Sequence, residues 1–296
     1  MKKIVVFGGS GFLGSYVADE LTHRDYDVVI ADIQESSFLS DKQSFVYCDI
    51  MDNAAIEAAL KDAAIVYNFA GLADIDESID QPRETMQQNV IGNVNILEAC
   101  RGQSIERYVY ASSAYAFSQK GSFYGISKLA SEKIIEEYQS RFKLPYTIVR
   151  YGSLYGERAD QHNGMYRMLH QATNEGKIRH NGDGEEVREY IHAADAARLS
   201  VDIIEDDTYR DQHLILTGVE RMKQKDVLRM IREILNDEVE ITFAAAQIEG
   251  HYQVTPYSFY PNMARKLVLN SFIDLGQGLV ECLKTIHDSS QEETNS

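Results

Sequence analysis

Two hydrophobic rhythms alternate along the first half of the chain. Six short runs are apolar almost throughout: "KIVVFG" (3–8), "DVVIAD" (27–32), "SFVYCDI" (44–50), "AIVYNFAG" (64–71), "RYVYASS" (107–113) and "YTIVRYGSLYG" (146–156). Most have the length of strands buried on both faces. Between them, residues 12–23, 53–63, 89–101 and 125–141 place apolar side chains three and four apart, which predicts helices with one buried face. Strands alternating with helices predict parallel pairing, because each helix must carry the chain back across the sheet. After about residue 152 the rhythm weakens. Helix-like pieces at 164–173, 195–205, 224–235 and 274–286 are separated by turn-rich segments. The pattern predicts an α/β fold, a doubly wound parallel sheet with a smaller mixed lobe. The sheet domain takes residues 1–152 and is completed by about 190–215. The lobe takes 153–189 and 216–290, and a frayed polar tail follows at 291–296.

The turn between the first strand and the first helix holds Gly8, Gly11 and Gly14, spaced G-x-x-G-x-x-G. The first glycine permits a tight turn, the second lets backbone approach a pyrophosphate, and the third lets the helix pack closely on the strand. The helix start then offers free N–H groups and a partial positive charge to phosphates. Asp32 ends the second strand, eighteen residues after Gly14. An acidic side chain there accepts hydrogen bonds from the hydroxyls of an adenosine ribose and repels a 2′-phosphate. Neither Ile33 nor Gln34 is basic, so the pattern predicts NAD rather than NADP.

A second constellation lies in "SSAYAFSQKGSFYGISKLASEK" (112–133). Tyr124 and Lys128 are four apart at the start of a predicted helix, so both side chains lie on one face. Tyrosine alone is a poor base at neutral pH. A neighbouring ammonium favours the phenolate and makes Tyr124 usable in proton transfer. Ser113, ending the preceding strand, is placed to hydrogen-bond the same substrate oxygen.

The motifs and their order resemble the extended short-chain dehydrogenase/reductases, in particular the NAD-dependent epimerase/dehydratase family and its UDP-glucose 4-epimerase-like members. The resemblance runs through "GGSGFLG", Asp32, "CDI", "NFAG", "NVIGNV", "SSA", "YGISK", "RYGSLYG" and "GDGEEVREYIHAADAA". It implies a Rossmann-type sheet, NAD as cofactor and a nucleotide-diphosphate sugar as substrate, in a role such as polysaccharide biosynthesis. By the same resemblance Phe12 and Leu13 lie at the pyrophosphate loop, and Asp49 and Ile50 bracket the adenine, with Ile33 beside Asp32. Phe69, Ala70 and Gly71 line the cofactor cleft, and Gln88 falls on the nicotinamide side. Ser113, Tyr124 and Lys128 match the catalytic triad, Lys128 also holding the nicotinamide ribose. Arg188 matches an arginine on the substrate diphosphate, and Ser153 stands where relatives often bind substrate with an asparagine. His192 reads as a packed, hydrogen-bonded histidine.

Departures from the family pattern narrow the reaction. Sugar-nucleotide 4,6-dehydratases carry an acidic pair after the catalytic Ser/Thr, whereas Ala114 and Tyr115 follow Ser113 here. Net reductases usually consume NADPH, which Asp32 disfavours. The reading left is an epimerase, with C4 as its expected centre. A nucleotide-sugar reductase or decarboxylase is the nearer alternative, and a non-catalytic NAD-binding regulatory protein the more distant one. Only ten residues separate Ser113 from Tyr124, fewer than in most relatives, and Phe117 and Ser118 replace a usual Tyr-Gly. Phe259 and Asn262 stand where relatives often carry Asp and Lys, and the tyrosine-rich stretch 251–262 reads either as a pocket edge or as lobe packing.

Composition limits the partners. With 29 basic against 46 acidic side chains, the formal charge of −17 disfavours nucleic acid and anionic membranes as partners. No apolar stretch reaches the roughly 18 residues of a membrane span, and no signal-peptide pattern precedes the first strand. Cys48, Cys100 and Cys282 have no metal-like spacing and read as reduced thiols, which predicts a cytoplasmic protein without a metal. The resemblance also implies a homodimer built on helices 89–101 and 125–142.

Overall fold

The computed structural model describes residues 1–118, 120–219 and 221–244. The stretch 251–262, with Phe259 and Asn262, lies outside the described residues, as do the 274–286 helix and the 291–296 tail. The described residues all belong to one compact unit, Met1–Phe259.

The apolar runs form the strands expected of them: β1 (Lys3–Phe7), β2 (Asp27–Asp32), β3 (Gln43–Tyr47), β4 (Ile65–Asn68), β5 (Arg107–Ser113) and β6 (Tyr146–Tyr151). Later strands are shorter: β7 (Ser153–Tyr155), β8 (Lys177–Asn181), β9 (Val187–His192), β10 (Gln212–Leu216), β11 (Arg221–Lys223) and β12 (Glu240–Ala244). The main sheet runs β10-β6-β5-β4-β1-β2-β3, and every pairing in it is parallel. The chain moves outward from β1 in one direction to β3 and in the other to β10. The crevice between β1 and β4 is therefore the topological switch point, open at the C-terminal strand ends.

Alternate residues of β1 explain why both faces are covered. Val5 and Phe7 join Ile56 and Leu60 of α2 (Asn53–Leu60), Ile96 and Leu97 of α5 (Gly92–Arg101) and Ile135 of α6 (Ser122–Phe142). Ile4 and Val6 face the other way, against Val17 and Leu21 of α1 (Phe12–His23) and Ala197 and Val201 of α8 (Ala193–Glu205). A third cluster joins Ala172 of α7 (Gly164–Glu175), Ile178 of β8, and Val227, Leu228 and Ile231 of α9 (Gln224–Ile234). It underlies two small sheets, β11-β9-β7 and β12-β8.

The structure shortens several predicted strands. Residues 48–50 and 69–71 are loops, because pairing ends at Tyr47 and Asn68, and the Asn68 side chain accepts the Ala70 N–H at 3.0 Å to start a turn. The run 146–156 divides at Gly152, whose N–H makes a bond to the Leu216 carbonyl before β7 leaves to pair with β9. Two short helices not predicted, α3 (Ile75–Asp80) and α4 (Pro82–Met86), precede a single π-helical turn at Gln87–Ile91.

Two glycines of the first turn have steric reasons. Gly8 holds φ +71°, and a Cβ on it would lie 2.5 Å from the Ala70 nitrogen. A Cβ on Gly14 would lie 2.2 Å from the Gly8 carbonyl oxygen, so α1 reaches β1 only without one. Gly14→Ala is expected to cost about 1–3 kcal/mol through overpacking of the helix against the strand. Chemical denaturation tests it; an unchanged midpoint would mean that α1 shifts freely on the sheet.

Candidate active site

Three cavities follow one another over the C-terminal ends of the strands. The first, of about 710 Å³, is lined by Asp32 and Ile33, by Asp49 and Ile50, and by Gly8 and Gly11. Phe69, Ala70, Gly71 and Gln88 also line it. The second, of about 360 Å³, is bounded by Gly11, Phe12, Leu13 and Gly14 on one side and by Ser113, Tyr124 and Lys128 on the other. The third, of about 610 Å³, holds Ser153 and Arg188. Gly8, Gly11, Phe69 and Gly71 line the first two alike, and Leu154, His162 and Asn163 line the second and third alike. All the sequence-predicted site residues thus fall along one trough. Gln88 lines the Asp32 cavity, its amide donating to Glu84 at 2.8 Å.

The first two cavities have the features of a dinucleotide cradle. Helix α1 starts at Gly11 with no side-chain cap and no acidic residue in its first turn, so its N–H groups and dipole are left to an anion. A Cβ on Gly11 would meet only the Gly8 oxygen, at 3.3 Å, and otherwise open space. The Asp32 carboxylate accepts the Ser10 N–H at 3.0 Å and lines the cavity. The Ser10 hydroxyl beside it is buried with no partner, a cost that a bound polar group would remove. These residues fit NAD: phosphates at the helix start, a ribose diol at Asp32.

Lys128 is the most constrained charge in the second cavity. It is 6% exposed, and its Nζ donates to the Ala111 carbonyl at 2.8 Å. The same nitrogen lies 5.0 Å from the Tyr110 ring centre and 5.7 Å from that of Tyr124. Burial lowers its pKa to about 8, with Glu132 one helical turn onward opposing the shift. Tyr124 sits in the first turn of α6, itself buried, with the Tyr115 ring edge-on at 6.4 Å. Ser113 ends β5, and its hydroxyl accepts the Tyr115 N–H at 3.3 Å. Two side chains on one helix and one at a strand end therefore meet at a single opening.

Asn89 holds the loop after β4 in place. Its side chain accepts the Leu72 N–H at 2.8 Å and donates to the Leu72 carbonyl and the Ser127 hydroxyl. Residues 156–163 run along the trough, with Asp160 lining the first two cavities. Arg158 fastens this segment to α1, pairing with Asp19 at 2.5 Å and stacking 4.4 Å over Tyr16 and 4.5 Å over Phe38. His192 caps α8 by accepting the Ala194 N–H at 3.2 Å, a packing role as its sequence context suggested. In the third cavity Asp74 bridges to Arg167 at 3.5 Å and to His162 at 3.8 Å, and Arg179 and Arg188 line the same space with Asp76 and Glu186. Among the described residues no group of three or more His, Cys, Asp or Glu is placed to hold a metal ion, and no helix is long and apolar enough to cross a membrane.

A family model described as the NAD dependent epimerase/dehydratase family matches residues 4–215, from β1 into β10. The chain belongs to this family. The family's stated dependence on NAD agrees with the fit of the cradle. The UDP-glucose 4-epimerase of Corynebacterium glutamicum is 26% identical over 267 residues, 78% of this chain and 80% of its own. A UDP-N-acetyl-alpha-D-glucosaminuronate decarboxylase of Bacillus cytotoxicus is 24% identical over 279 residues, 83% of this chain and 82% of its own. The fold is that of the UDP-glucuronic acid 4-epimerase from Bacillus cereus, solved with UDP-glucuronic acid and NAD. That structure matches at TM-score 0.80 and 22% identity, over 86% of this chain and 89% of the other.

Several trough residues had no motif to reveal them. Asp74, Asp160 and His162 lie in turn-rich segments, and only the fold brings them to the cavities. Glu132 did have a signal, its four-residue spacing from Lys128. The burial of Lys128 predicts that one lysine, absent in Lys128→Met, titrates near pH 8 while ordinary lysines titrate near 10.4. Carbon-13 NMR of labelled lysine side chains tests this; uniform titration near 10.4 would refute it.

Proposed function

We propose that this chain is an NAD-dependent nucleotide-sugar epimerase that inverts a hydroxyl-bearing sugar carbon, C4 in the simplest case. NAD, when bound, would supply the redox chemistry, hydride uptake from that carbon and its return to the other face. Support comes first from one observation, the buried Tyr124–Lys128 pair and Ser113 sharing the cavity bounded by the glycine turn. Tyr124 takes the proton of the sugar hydroxyl and gives it back. Lys128, held by Ala111, favours the phenolate by its charge. Ser113 hydrogen-bonds the same oxygen. Arg188, in the third cavity, holds the substrate diphosphate and retains the intermediate ketone while it turns over, Ser153 contacting the sugar. The lobe assigned to 153–189 and 216–290 serves as the substrate side.

The absence of an acidic pair after Ser113 supports epimerisation over 4,6-dehydration: Ala114 and Tyr115 provide no carboxylate for eliminating a 6-hydroxyl. Tyr124→Phe is expected to keep NAD bound and to lose product formation by at least about 100-fold. NMR of products from a panel of UDP-, GDP-, CDP- and dTDP-sugars tests it; wild-type turnover by the variant would remove Tyr124 from the chemistry. A net absorbance change at about 340 nm would favour a reductase instead, and released carbon dioxide a decarboxylase.

A homodimer through the 89–101 and 125–142 helices is part of the proposal. Ile91 and Ile126 are 47% and 57% exposed on these segments, apolar surface that a second copy would cover. Sedimentation is expected to give twice the chain mass, and Ile126→Glu to give the monomer. A wild-type monomer at micromolar concentration would refute it.

A further inference from the structure

Behind the Tyr124 cavity lies a carboxylate that the proposed reaction does not use. Glu132 is 0% exposed in α6, one turn beyond Lys128. An isolated buried carboxylate is costly, so its partners show what it is for. Arg150 of β6 grips it in a fork, Nε at 2.9 Å and Nη2 at 2.7 Å. The Ser112 hydroxyl of β5 donates to it at 2.5 Å. The Nδ1 of His213 on β10 lies 3.6 Å away. Arg150 also donates to that Nδ1 at 2.7 Å, which leaves the ring proton on Nε2, 3.0 Å from Glu136. The Arg150 guanidinium is stacked 3.9 Å over Phe117, in the turn after Ser113. One side chain therefore ties together β5, β6, β10 and the helix that bears Tyr124 and Lys128.

The attachment point on β5 is what gives this network a catalytic consequence. Ser112 stands between Ala111, whose carbonyl receives Lys128, and Ser113, and all three line the cavity. Successive residues of a strand point to opposite faces, so fixing Ser112 toward α6 fixes Ser113 toward the cavity. We propose that Glu132 is a positioning residue: it seats the end of β5 and supplies the buried negative charge beside Lys128. This rests on the proposed reaction and names a group that never touches the substrate.

Two effects follow, and they separate. Glu132 opposes the effect of burial on Lys128 and helps keep it an ammonium. Among the described residues, the other groups facing Glu132 are Arg150, His213 and Ser112, with Tyr110 and Tyr146 also within its field; those facing Lys128 are Tyr110, Tyr124 and the Ala111 carbonyl. Removing the carboxylate's charge lowers the pKa of Lys128 further, so the ammonium is lost at lower pH. Removing only the Ser112 tie leaves that charge in place and loosens the seat of Ser113.

The test compares Glu132→Gln, Ser112→Ala and Tyr124→Phe in the full-length, NAD-loaded protein. Glu132→Gln is expected to lower kcat roughly 10- to 100-fold with KM little changed. The basic limb of its kcat–pH profile, and the Lys128 titration read by carbon-13 NMR, should both move to lower pH. Ser112→Ala should lower kcat while leaving both in place. If Glu132→Gln does not fold, Glu132→Asp takes its place, expected to keep the wild-type limb at reduced kcat. Wild-type kcat in Ser112→Ala and in the Glu132 variant, or an unmoved Lys128 titration in Glu132→Gln, would overturn the proposal. Activity surviving in Tyr124→Phe would instead overturn the reaction itself, and the NMR titration would still report on Glu132.

Discussion

Keeping an ammonium dry is the constraint around which this site is built. Desolvation disfavours the charged form of Lys128, and the surroundings must return part of that cost. They do so with the Ala111 carbonyl, the faces of two tyrosine rings and the carboxylate one turn along the helix. The carboxylate is itself buried, so it requires Arg150 and Ser112, and Arg150 in turn is stacked on Phe117. Each buried charge is answered by the next until the chain of partners reaches His213 and Glu136 at the sheet edge. Burial raises the pKa of Glu132, but hydrogen bonds from Arg150 and Ser112 outweigh it and hold the carboxyl below its ordinary value.

The sheet makes that arrangement possible. Seven parallel strands end on one side, so residues far apart in sequence (Gly8, Asp32, Asp49, Phe69, Ser113 and Gly152) come to one edge. Close approach at that edge depends on missing side chains. The glycine turn nests against Ala70 at one position and lets α1 touch β1 at another. Polar groups secure the rest: Asn68, Asn93 and Tyr108 bond one another beneath the loop after β4, and Asn89 clips that loop to α6. The result is a hydrogen-bonded floor beneath a trough, while the segment 156–163 is held to α1 by Arg158 and by Tyr16, which donates to Glu157, and to β7 by Asn163, which donates to the Leu154 carbonyl.

The elements of the first half were legible because their burial is simple. A strand covered on both faces is apolar at every position, and a helix lying on the sheet is apolar on one side, so the pattern names each. Where the structure departs, the reason is local. Residues 48–50 and 69–71 are apolar enough to read as strand, yet they line the trough instead of pairing. The short strands β8, β9 and β11 escape the pattern because their sheets are small and half-exposed, so apolar and polar positions mix.

By itself the sequence determined the type of site, because its chemistry is written at short range. A glycine triplet between strand and helix, an acid at the next strand end, and Tyr–Lys at one helical turn are each local consequences of backbone geometry. What only the tertiary structure decided is how these pieces meet and what stands behind them. Asp74, Asp160 and Arg158 reach the trough from segments without a motif. Ser112, Glu132, Arg150 and His213 converge from four elements across more than a hundred residues. Burial is the physical reason: whether a carboxylate is solvated or dry depends on what packs over it, and no spacing along the chain records that.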